Sequence, residues 1–175
     1  MAIRSFVSVI AAACLISLAA FAQGTARLND AQIAHIAYTA GQIDIAAAKQ
    51  ALSISKNADV RTFANEMVRD HTAVNEQALD LVKKLKVEPQ DNDTSRSLTK
   101  AATEKRAQLG KLTGAAFDKA YVANEVAYHK TVNSALENTL IPGASNPELK
   151  ALLQTGLKIF QGHQEHAEHL ATMLK

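Results

Sequence analysis

Val60-Arg61-Thr62-Phe63-Ala64-Asn65-Glu66-Met67-Val68-Arg69-Asp70-His71-Thr72-Ala73-Val74-Asn75 carries apolar residues at Val60, Phe63, Ala64, Met67 and Val74, three, four or seven positions apart. That is the period of an amphipathic helix, not the alternation of a strand. The stripe continues through Ala78, Leu81, Val82 and Leu85, so the spacing predicts a helix from just after Asn57, a good N-cap, to about Lys86, ahead of Pro89. Projected at 100° per residue, His71 falls about 20° from the centre of the apolar arc. An imidazole on the core side of a helix needs a partner, because burying an unpaired polar group is costly.

Three more segments have the same period. The first runs from Asn29 or Asp30 to about Lys56, the third from near Gly114 to just before Pro142-Gly143, and the fourth from Asn146-Pro147, a cap followed by proline at the first helical position. Each is about 25 residues, or roughly 37 Å long. Short joints within the first and last pairs force antiparallel neighbours. The middle joint, Val87 to Thr113, holds a polar run and a weaker helical stretch, Ser95 to Leu109, and is long enough to cross a whole bundle. The pattern predicts an all-α, ferritin-like four-helix bundle with a long crossover between helices two and three. An up-down-up-down bundle whose long loop folds over one end is the alternative.

The same projection places an ionisable group inside every apolar arc: Asp44 in the first helix, His71 in the second, Glu125 and His129 in the third, His163 in the fourth. All lie near the midpoint of their own helices, so they share one layer whichever way each helix runs. Asp70 and His166 sit at the edges of their arcs, as supporting partners or additional ligands, and Tyr128 adjoins His129. Carboxylate and imidazole together suit iron, manganese, zinc or copper. The competing reading is an Asp–His and Tyr–His hydrogen-bond network that only fixes helix register. A third makes His71 and Glu125 an acid and base. Arg61, Arg69, Lys83, Lys84 and Lys86 read as a solvated face, and His35 and His169 point away from the core.

Composition narrows the function classes. The chain has 175 residues, the size of one domain, and 5% aromatics, which favours helices over a β-sandwich or barrel. Nineteen basic residues against 17 acidic ones, interspersed, argue against nucleic acid as a partner. The lone cysteine, Cys14, excludes a disulfide framework and a thiolate zinc site. Met1 to Ala22 reads as a signal peptide, with Arg4, an apolar run from Phe6 to Ala20, and the small-x-small site Ala20-Phe21-Ala22. Lipidation at Cys14 is the rival to cleavage after Ala22. The expectation is a periplasmic domain, residues 23–175, without a transmembrane anchor. Homo-oligomerisation is left open.

Val60-Arg61-Thr62-Phe63-Ala64, Met67-Val68-Arg69-Asp70-His71 and Val74-Asn75 together resemble the central signature of the DUF4142 family, small exported bacterial proteins with a ferritin-like helical bundle. Phe117-Asp118-Lys119-Ala120-Tyr121, Asn124-Glu125-Val126-Ala127-Tyr128-His129, Ile141-Pro142 and His163-Gln164-Glu165-His166-Ala167 look like its later blocks. The resemblance implies that Asp44, Asp70, His71, Glu125, His129, His163 and His166 occupy family signature positions. The paired Glu-x-x-His of di-iron ferritins is absent, so ferroxidase activity is not expected. The functional expectation is a transition-metal site serving envelope stress or metal homeostasis; the alternative is a non-catalytic envelope protein whose polar layer only fixes the fold.

Overall fold

A computed structural model describes residues 28–174. The expected signal peptide, Met1 to Ala22, and Cys14 lie outside the described residues. Five helices follow in order: α1 (Asp30–Ile54), α2 (Ala58–Leu85), α3 (Asp93–Leu109), α4 (Gly114–Ala135) and α5 (Pro147–Met173). No strand occurs among the described residues. The expected caps form: Asn29 and Gln32 make a reciprocal capping box, Asn57 accepts from the Asp59 and Val60 amides, and Asn146 accepts from those of Glu148 and Leu149. Gly114, at φ 55°, supplies the left-handed turn into α4.

The count of four helices is thereby corrected to five. The weak stretch Ser95 to Leu109 is a full helix, started by a capping box between Asn92 and Ser95 and pinned by Arg96 on Asp91 and Asp93. Its apolar content is too low for the pattern to stand out; only Ser95, Leu98 and Leu109 are buried.

Helix α3 retraces α1. The Gln90 amide bonds to the Ala31 carbonyl at 3.1 Å, near the start of α1, and Gln50 Nε2 bonds to the Arg106 carbonyl at 2.9 Å, near its end. The crossover thus carries the chain the length of the molecule instead of folding over one end. Helix α4 then runs in the same direction as α2, across the interior from it with Tyr121 against Phe63, while α5 returns antiparallel, with Glu148 on Lys84 and His166 on Glu66. The carboxylate of Asp30 fastens the return by accepting the Ser145 and Asn146 amides at 2.7 and 2.9 Å. Helix α4 widens into a π-helical turn, Leu136–Leu140, just before Pro142, which has no amide hydrogen and whose ring crowds the preceding turn.

The apolar interior is divided. One half gathers Ile33, Ile36, Val132, Leu136, Leu140, Leu149, Leu153 and Phe160. The other gathers Val60, Phe63, Met67, Phe117, Tyr121, Val122, Ala167 and Leu170. Each fully buried Val, Leu, Ile or Phe contributes about 1.5–3 kcal/mol, so either half is a substantial core. Asp44, His71, Glu125, His129 and His163 lie along the chain between the two sets.

Candidate metal centre

All five predicted layer residues are 3% exposed or less. Helix α1 contributes Asp44, α2 His71, α4 Glu125 and His129 one turn apart, and α5 His163. Phe160 of α5 stacks flat on the His71 ring, with centroids 4.3 Å apart and planes 11° from parallel, and so fixes its orientation. The three imidazole rings form a triangle with centroid separations of 5.7, 5.3 and 5.5 Å. Asp44 reaches them: its Oδ2 is 3.2 Å from His71 Nε2 and 3.4 Å from His129 Nε2.

Hydrogen bonding fixes the tautomers of two histidines. His129 Nδ1 lies 3.0 Å from the Glu125 carbonyl, which can only accept, so Nδ1 carries the hydrogen and Nε2 presents a lone pair. That lone pair faces the Asp44 carboxylate, an acceptor opposed to an acceptor. His163 Nε2 donates to Asp70 Oδ2 at 3.0 Å, which leaves its buried Nδ1 as a free acceptor. Both oxygens of Asp44, both nitrogens of His71, Glu125 Oε2, His129 Nε2 and His163 Nδ1 are buried without a hydrogen-bond partner. Buried polar atoms are ordinarily satisfied, and a cation among these would satisfy them together. One ligand atom each from His71, His129 and His163 lies within 4.8 Å of the others; the same holds for Asp44, Glu125 and His129.

The electrostatics match this reading. Burial opposes ionisation of Asp44, but the facing imidazoles of His71, then His129 and His163, outweigh it and hold the carboxyl below its ordinary value. Glu125 goes the other way: burial, and then the charge of Asp44, raise it well above the usual carboxylate range and favour its protonated form. Burial lowers His129 to about 4 and also depresses His163 against the pull of Asp70, so both imidazoles are neutral, the form that binds metal.

The supporting residues have distinct places. Asp70 orients His163 and is itself gripped by Arg69 at 2.6 and 2.9 Å. The hydroxyl of Tyr128 donates to the Ala40 carbonyl at 2.8 Å, tying α4 to α1 beside the layer. His166 stays outside the layer, 36% exposed by its side chain, with Nδ1 2.7 Å from Glu66 Oε2. Glu66 escaped the sequence reading, although it stands one turn before Asp70. Arg69, read as solvated, is exposed yet paired.

The family model for a domain of unknown function, DUF4142, matches residues 17–170. The chain belongs to the DUF4142 family. The resemblance carried by Val60–Asn75 and the later blocks is thereby borne out, and the DUF4142 match contains every layer residue together with Asp70 and His166. No curated protein and no solved structure matches the chain.

Proposed function

We propose that this DUF4142 protein is an exported, periplasmic, ferritin-like bundle whose buried layer binds a transition ion (iron, manganese, zinc or copper) for metal homeostasis or envelope stress. The observation that carries the reading is the unsatisfied layer: the His129 lone pair faces the Asp44 carboxylate 3.4 Å away, among buried atoms that lack partners. A layer serving only to fix helix register would satisfy its own members, because half-satisfied buried networks destabilise a fold. The direction of the long helices, with α2 and α4 parallel and α3 carrying the chain back along α1 to link them, supports the ferritin-like description. Arg4 and the apolar run before Ala22 support export.

His71, His129, His163 and Asp44 would hold the ion, and Glu125 would join them on losing its proton. A bound ion supplies Lewis acidity and, for iron, manganese or copper, electron transfer. The protein's part is to hold the imidazoles neutral and oriented, through Phe160 on His71, the Glu125 carbonyl on His129 and Asp70 on His163.

Thermal melting of chelator-treated protein with each of the four ions tests this. An ion present at 100 times its Kd stabilises by about 2.7 kcal/mol, and one or more should raise the Tm of the wild type but not of His71→Ala/His163→Ala. No rise with any of the four would overturn the reading.

A further inference from the structure

Outside the layer, Glu66 and Asp70 stand one turn apart on α2 and face His166 and His163 on α5. Their side chains are 29% and 22% exposed, so the group opens to solvent. His163 belongs to both regions. Its Nε2 meets Asp70 at 3.0 Å, while its Nδ1 is buried in the layer without a partner. Ligand atoms of Glu66, Asp70 and His163 lie within 4.8 Å of one another, as do those of His71, His129 and His163. Two groups, one at the surface and one buried, thus meet at a single imidazole.

We propose that the carboxylates of Glu66 and Asp70, beside His163, form an outer docking site for a divalent transition cation, from which the ion passes across His163 into the buried layer. The inference rests on the metal reading of that layer. Arg69 supports it: its guanidinium forks onto both oxygens of Asp70 and comes within 4.0 Å of Glu66. It places a positive charge where the ion would dock, on a flexible stem 70% exposed and free to swing aside. The other approach is worse for a cation. A cavity of about 30 Å³ beneath α3 reaches Asp44 and Glu125, but Lys105 and Arg106 line it, and like charge repels the ion.

Glu66 touches His166 and not the layer, so its role separates from that of a ligand. The test is stopped-flow uptake of Co2+ by the chelator-treated full mature chain, read by the visible absorption of the bound ion. Glu66→Gln should slow loading about tenfold, the scale of electrostatic steering, and slow release into chelator equally. Its final spectrum and Kd should match the wild type. Arg69→Gln should load several-fold faster to the same spectrum, an opposite change that loss of fold would not give. Wild-type loading should slow with added salt, and that of Glu66→Gln should slow less. Uptake by both variants at the wild-type rate would overturn the port while leaving the metal site standing. Absence of saturable Co2+ binding by the wild type would overturn the metal site and the port with it.

Discussion

The rim and the middle of the bundle use the same residue types in opposite ways. At the rim, Glu66 meets His166 at 2.7 Å, Lys130 meets Glu168 at 2.9 Å, and Asp91 and Asp93 share Arg96. Each of these charges has a counterpart within ion-pair distance. In the middle, where burial makes pairing most needed, Asp44 and His129 present acceptors to each other, and His71, 3.2 Å from Asp44, meets it without hydrogen-bond geometry. Pairs thus form at exposed sites, where they contribute little, while the buried layer is left incomplete, where the absence costs most. That contrast is what the proposed cation site explains and a layer serving only to hold helices together does not.

The apolar halves set the scale against which the contrast can be broken. Phe63→Ala should destabilise the metal-free protein by about 3–5 kcal/mol in urea denaturation, since a fully buried ring is lost. A layer that stabilised the fold would show a loss of similar size on substitution.

The next effect is in pH. His129 is held at about 4 in the folded chain against 6.5 when free, so between these values the unfolded state binds the extra proton. The contribution of His129 to the stability of the metal-free protein is therefore complete above pH 6.5 and falls away towards pH 4, by the order of 3 kcal/mol. Glu125 has the opposite sign. Its folded value is raised, so its contribution is complete below the usual carboxylate range and is lost as pH rises through the folded value. Glu125→Gln should accordingly stabilise the metal-free protein at neutral pH, with a margin that grows as pH rises. A margin that shrinks would mean that Glu125 is ionised and satisfied.

Replacing Asp44 and His71 together by leucine sharpens the comparison from the other side. The metal-free double variant should gain about 1–4 kcal/mol, because buried ionic groups give way to apolar ones. It should also lose all stabilisation by added ions. Net destabilisation would instead mark a structural pair. At the rim the expectation is smallest: Arg69→Gln should leave the urea midpoint nearly unchanged, because water screens the Arg69–Asp70 pair. Asp70, held below its ordinary value chiefly by the Arg69 hydrogen bonds, loses that small contribution only as pH falls through the acid range.

Much of this was legible in the sequence, and the gaps have causes. The stripe from Val60 to Leu85 and the capping asparagines Asn29, Asn57 and Asn146 marked the long helices because those signals are local. Asp44, His71, Glu125, His129 and His163 were legible as one layer because midpoints of matched helices coincide in any topology. Helix α3 was only half legible: Leu98 and Leu109 are sparse anchors, and its packing on α1 joins residues far apart in the chain. The pairing of Glu66 with His166 was hidden for the same reason. It depends on how α5 is rotated against α2, which the period of neither helix determines.

Elemental analysis of untagged protein purified from the cells that make it, beside His71→Ala/His163→Ala, is the most direct measurement of the central claim. The expected result is a stoichiometric transition metal in the wild type and its loss in the variant. A wild type free of metal, or a variant that keeps the same content, would contradict it.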